Sequence, residues 1–179
     1  MAFTIGYIND CFRKEDKKMV NLISESKAKE VLHQYGVNQS VPLDPIQIAG
    51  QNKIDVKDAV FKSSDIAGIL HKENGKTTIY VNSTDPDKRK RFTIAHELGH
   101  YFLHLNNKDD ALVVEYRTIN NNGNDEKEKE ANSFAAALLM DEVLVKSLWN
   151  DLKSVQAIAD IFQVSYEAMG YRLNNLGLI

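Results

Sequence analysis

At 179 residues and 43% hydrophobic composition, the chain can bury a substantial core and is too apolar for a disordered polymer. Its formal net charge of −3 excludes the domain-wide basic footprint of a nucleic-acid binder. Cys11 is the only cysteine, which excludes an internal disulfide and suits a reducing, cytoplasmic setting; with no basic leader and no long apolar run, neither a signal peptide nor a membrane span is expected.

In chain order, residues 24–35 read as an amphipathic helix with Ala28, Val31, Leu32 and Tyr35 inward and Gly36 as its stop. Val41-Pro42-Leu43 is an extended linker, and Asp44-Pro45 opens a short helix to about Gln51. Ile54–Phe61 is a strand. Asp65–His71 and Lys76–Asn82 flank Glu73-Asn74-Gly75, a hairpin signal. Asp85 as N-cap and Pro86 at the first helical position start a helix that runs to Leu105. Its basic run Lys88-Arg89-Lys90-Arg91 reads as the solvated first turns. A strand-like piece, Ala111–Tyr116, precedes the loop Asn120–Asn124, and helices then dominate from Asp125 to Leu176. The plan is one α+β domain: a small antiparallel sheet beside a mainly helical core, with a helical C-terminal part over about 142–179.

The chemistry concentrates in His96-Glu97-Leu98-Gly99-His100, an H-E-x-x-H motif inside the third of these helices. Positions 96 and 100 lie one turn apart, so both imidazoles project from one face and can reach one zinc ion at about 2.0–2.1 Å. Glu97 stands beside them as the candidate general base for a metal-bound water. The apolar stripe Phe92, Ala95, Leu98, Phe102 and Leu105 places the motif on a buried helix rather than in a chance pentapeptide.

Two histidines do not complete the site, which needs a third protein ligand. His104 shares the face but lies about 12 Å from His96 along the axis, too far to share an ion with it. The metzincin pattern fails as well, with Leu103 and Asn106 where it requires Gly and His. The third ligand is therefore sought on the helix that starts near Asp125, where Glu126, Glu128 and Glu130 compete. Glu128 aligns with Ala131, Asn132, Ala135, Leu138 and Leu139 on the inward face, and Glu126 with the solvated one; periodicity alone does not remove Glu130. Asp125-x-x-Glu128 also reads as a capping box. The inward alignment favours Glu128 as ligand, with Asn132 placed to hydrogen-bond a coordinating histidine.

Residues 91–104 (Arg-Phe-Thr-Ile-Ala-His-Glu-Leu-Gly-His-Tyr-Phe-Leu-His) and 128–140 (Glu-Lys-Glu-Ala-Asn-Ser-Phe-Ala-Ala-Ala-Leu-Leu-Met) resemble the ImmA/IrrE family of metallo-endopeptidases. The resemblance extends over roughly 30–179. It implies a zincin-like core, Zn2+ held by His96, His100 and Glu128, Glu97 as base and Asn132 in support. It also implies a helix-turn-helix repressor as substrate, cut to relieve repression in a bacterial mobile element, a phage or a stress response. The chain has no repressor-like domain of its own, so the partner is expected to be separately encoded. One departure is Asp141, where the family often has proline; Asp141 can instead N-cap the next helix.

Three readings surround this core. Lys76–Asn82 is a candidate sheet edge for binding an extended substrate. His71, Tyr80, Tyr116, Arg117 and Tyr166 are unranked candidates for a second electrophile. Ala159–Ala168 has the look of a helix-turn-helix with Ser165 as N-cap, but Tyr166, Glu167 and Met169 with one Arg172 make a poor phosphate-binding face, so packing or a protein contact is favoured over DNA. The rival to an enzyme is a non-proteolytic zinc-containing regulator that binds a repressor or DNA.

Overall fold

The computed structural model describes residues 22–35, 41–63, 65–105, 112–114 and 126–179. Helix α1 covers 22–34 and buries Ala28, Val31 and Leu32; Tyr35 follows it and donates its hydroxyl to Asn52 Oδ1 at 2.7 Å. Gly36, its expected stop, lies outside the described residues. Helix α2 (Pro45–Gln51) starts as the sequence requires: Asp44 accepts from the Ile46 amide and proline fills the first turn.

Strands β1 (Ile54–Ala59), β2 (Gly68–Glu73), β3 (Lys76–Asn82) and β4 (Leu112–Val114) form one sheet in the order β1-β3-β2-β4. β2 and β3 make the expected hairpin, with Asn74 and Gly75 both at positive φ in its turn. β2 begins three residues later than expected. Asn82 explains the delay: its backbone amide donates to Ala67 O and its side chain to Ile66 O, which holds 66–67 as loop.

The α+β expectation holds, but the sheet is mixed rather than wholly antiparallel, because β1 runs parallel to β3. β1 and β2 flank β3 on opposite sides, with Ala59 of β1 beside Asn82 and Gly68 of β2 beside Val81. This also overturns the reading of Lys76–Asn82 as a substrate-binding edge: β3 is flanked on both sides and has no free backbone to offer. Asp55, Lys57 and Asp58 of β1 are exposed, with ion pairs from Lys76 to Asp55 (3.0 Å) and Lys90 to Asp58 (2.8 Å).

Helix α3 (Asp87–His104) crosses the sheet with residues 93–100 buried. It starts slightly later than expected. Pro86 is the cap residue and its backbone is still extended, while the Asp85 carboxylate turns to Arg89 Nε at 3.1 Å instead of capping. The basic run is tied down: Lys88 to Asp160, Lys90 to Asp58, and Arg91 to the Leu43 carbonyl at 2.7 Å.

Helices α4 (Glu126–Leu139), α5 (Glu142–Leu152), α6 (Val155–Phe162) and α7 (Tyr166–Asn175) follow. Asp141, Ser154 and Ser165 each cap the next helix with a side-chain oxygen, so the stretch breaks where its short polar residues dictate. Leu70 and Ile79 of the sheet, Leu98 of α3, Phe134 and Leu138 of α4, and Ile158, Phe162, Met169 and Leu173 of α6–α7 share one core. Each such side chain stabilises the fold by about 1.5–3 kcal/mol. The inner faces of α6 and α7 are therefore spent on packing. Arg172 is buried, donating from Nε to Met140 O at 3.1 Å and from Nη1 to Glu25 Oε1 at 2.6 Å, so it is not presented on the surface of α7. No helix among the described residues is long and apolar enough to cross a membrane.

Candidate metal centre

His96, Glu97 and His100 are all buried on α3, at 4%, 1% and 1% exposure. An i, i+4 pair places both imidazoles on one helix face, and here the two Nε2 atoms come within 3.0 Å. Glu128 arrives from the first turns of α4, with Oε2 at 3.3 Å from His96 Nε2 and Oε1 at 3.2 Å from His100 Nε2. One ligand atom from each of the three lies within 4.8 Å of the others. Donors bound tetrahedrally at about 2 Å stand roughly 3.3 Å apart, so this convergence suits a single cation.

The three glutamates of α4 lie differently in space. Glu128 turns to the histidines rather than back to the helix start; Asp125, its partner in the alternative capping box, lies outside the described residues. Glu130 reaches His104 Nε2 at 3.5 Å, and Glu126 is exposed. His104 also meets the Lys127 carbonyl at 3.3 Å, so it ties α3 to α4 beyond the cluster and is not part of it.

Asn132 lies one turn beyond Glu128, and its Oδ1 is 3.0 Å from His96 Nδ1. An amide oxygen can only accept, so His96 donates from Nδ1 and its Nε2 is left with the lone pair a metal needs. The electrostatics of Glu128 and His100 also suit a metal. Burial pushes the Glu128 carboxyl up, but its close contacts with His100 and His96 outweigh it and hold the group down at about 2. Burial lowers His100 to about 4, keeping it neutral. A carboxylate and a neutral imidazole at van der Waals range are ready donors for a divalent ion.

Glu97 faces the sheet beside this cluster. Burial raises its carboxyl to about 7, against the opposing pull of His96. The Leu70 backbone of β2 acts against that rise, and among the described residues the buried Oε2 of Glu97 has no hydrogen-bond partner. A carboxyl poised near neutrality can both take and return a proton.

The unranked electrophile candidates sort by strand register. Gly68 faces α3, so Leu70 does too, and the alternate residues Ile69 and His71 face the other side of the sheet. Tyr80 pairs with Ile69 and shares that far face, where its ring lies 6.4 Å from His71. Neither is directed at the cluster. Tyr166 is exposed on α7, and Tyr116 and Arg117 lie outside the described residues. The importance of two glycines escaped the sequence reading. Gly99 sits inside the motif, and Gly68 is an isolated glycine in a strand, a recognised sign of close approach.

Residues 49–174 match the IrrE N-terminal-like domain family of peptidases. Metallopeptidase ImmA of Bacillus subtilis (strain 168) is 25% identical over 153 residues, which cover 84% of this chain and 84% of that protein. The chain belongs to the IrrE N-terminal-like family and is a metallo-endopeptidase dependent on a divalent metal.

Proposed function

We propose that this metallo-endopeptidase uses zinc, held by His96, His100 and Glu128, to cleave a separately encoded helix-turn-helix repressor in the cytoplasm of a bacterium or of a phage-infected cell. The observation that carries the enzymatic part is the convergence of the two imidazoles and the Glu128 carboxylate beside a buried Glu97. The repressor part is supported by the family resemblance of residues 91–104 and 128–140.

When bound, zinc supplies a water acidified toward pH 7 and a Lewis acid for the scissile carbonyl. The chain does the rest. Glu97 takes the proton of the attacking water and returns it to the amine nitrogen as the C–N bond breaks. Asn132 fixes the ring of His96, and Glu128 brings the negative charge that two neutral imidazoles lack. Among the described residues the cluster offers three protein donors, the number a catalytic zinc site uses. Incubation with candidate repressors, with zinc or with a chelator, tests the proposal. Fragments that vanish with chelator and return with zinc support it; repressors left intact by the zinc-loaded chain remove the substrate assignment.

A further inference from the structure

β2 begins on a glycine, and no side chain fits there. A Cβ on Gly68 would collide with Thr93 Cγ2 and stand 3.1 Å from the Tyr80 carbonyl oxygen and 3.2 Å from Glu97 Oε1. Thr93 and Glu97 are one turn apart on α3, both buried, and both press against the same bare Cα. Two residues along the strand, the Leu70 backbone favours the charged form of the Glu97 carboxylate. The carboxylate oxygen Oε2 is buried and makes no hydrogen bond among the described residues. The backbone of β2 thus closes over Glu97, holding the carboxylate from one side and leaving Oε2 for a further partner.

We infer that Gly68 is a positioning residue for Glu97: its missing side chain is the space that lets β2 settle onto the carboxylate, and Thr93 sets the depth of that contact. The inference rests on the reading of Glu97 as general base. A glycine that served packing alone would affect stability and leave turnover of the folded enzyme intact. A positioning glycine affects turnover after metal loading, because the base must meet its proton at hydrogen-bond distance. Displacement of a catalytic group by about 1 Å costs on the order of 100-fold.

The test uses the zinc-loaded full chain and fluorescein-labelled casein as probe, with Gly68→Ala, Gly68→Ala/Thr93→Ser and Glu97→Gln compared. Gly68→Ala is expected to keep one zinc per chain and its KM while kcat falls by about 100-fold. The double variant removes the Thr93 methyl that gives the shortest contact, and is expected to recover most of that loss even if the single variant folds poorly. Wild-type kcat in Gly68→Ala beside an inactive Glu97→Gln overturns this inference alone. Wild-type turnover by Glu97→Gln overturns the base assignment and the inference with it. A crystal structure of the zinc-loaded Gly68→Ala chain decides the geometry without any substrate. A carboxylate displaced from the Leu70 backbone supports the inference, and one that has not moved overturns it.

Discussion

Gly99 lies flat against Ala131: a Cβ on Gly99 would stand 3.0 Å from both the Cα and the carbonyl oxygen of Ala131. The residue inside the motif that makes no bond to a ligand thus sets how closely α4 approaches α3. Glu128 sits one turn before Ala131, so its reach to the histidines depends on this seam. Forcing a methyl group into such a contact costs about 1–3 kcal/mol, equivalent to about fivefold to somewhat over a hundredfold in an equilibrium constant. Gly99→Ala should therefore weaken zinc binding by about fivefold or more. Competition against a chromophoric chelator measures it, and an unchanged affinity would mean that the seam does not govern the site.

Substitutions within the cluster should separate metal loss from loss of chemistry. His96→Ala and Glu128→Ala each remove one of three donors and should leave the purified chain without stoichiometric zinc. Glu97→Gln should retain the metal while cleavage falls by about 10²–10⁴-fold, the range for a lost general base. Metal analysis alongside cleavage reads both; zinc retained in Glu128→Ala would refute its role as ligand.

Asn132 touches no metal position, yet it fixes the His96 tautomer through its 3.0 Å contact. Asn132→Leu removes the acceptor and frees the ring to turn. A 10–100-fold weaker zinc affinity is expected, about the usual effect of losing such a partner. Asn132→Asp, which keeps an acceptor, should bind far better than the leucine variant; equal affinities for the two would sink the argument.

Zinc retention should also depend on pH in a defined direction. Burial pushes the His96 imidazole down, but hydrogen bonding to Glu128 and the charges of Glu97 and Glu128 outweigh it, so its pKa is raised above the ordinary histidine value. A raised pKa means that a proton competes for Nε2 at higher pH than it would at a free imidazole. Apparent zinc affinity should hold steady in mild alkali and fall with acidification through neutrality, by about one decade per pH unit for one displaced proton. Titrations between mild acid and mild alkali measure the slope, and a flat profile across that span contradicts it.

Arg172 and Glu25 should respond unequally to removal of their partner. Arg172 is 2% exposed and its buried Nη2 has no partner among the described residues, whereas Glu25 keeps 21% of its side-chain surface. Glu25→Ala strands a buried cation, for which about 3–5 kcal/mol is typical. Arg172→Met leaves a carboxylate that can reach water and fills the site with apolar volume, so its cost should be smaller. Urea unfolding of the metal-free chain gives both values, and the reverse ranking would contradict this account.

Local signals made much of the molecule legible. The caps at Asp44, Asp141 and Ser165, the Asn74-Gly75 turn and the buried face of α4 are consequences of short-range chemistry, and the structure follows them. Glu128 could be favoured over Glu126 and Glu130 because helical periodicity carries a residue's face with it. Long-range facts were not legible. Pairing of β1 with β3 depends on which side of the hairpin β1 takes, and no local pattern encodes that choice. The same strand order enclosed Lys76–Asn82 and turned His71 and Tyr80 away from the cluster. The sequence displayed Gly68 and Gly99 openly, but their meaning lies in Thr93, Glu97 and Ala131, which approach them only after folding.

The charged border of β1 bears on how the molecule behaves in a crowded solution. An outermost strand invites other polypeptides to continue the ladder, and repeated addition leads to fibres. Along this border an incoming chain must first strip water from Asp55, Lys57, Asp58 and their lysine partners. That penalty recurs with each molecule added, so growth from this side is opposed at every step. Neutralising the border, for example with Asp55→Val and Lys57→Thr, should turn a well-behaved solution into one that thickens on standing, even with the metal centre untouched.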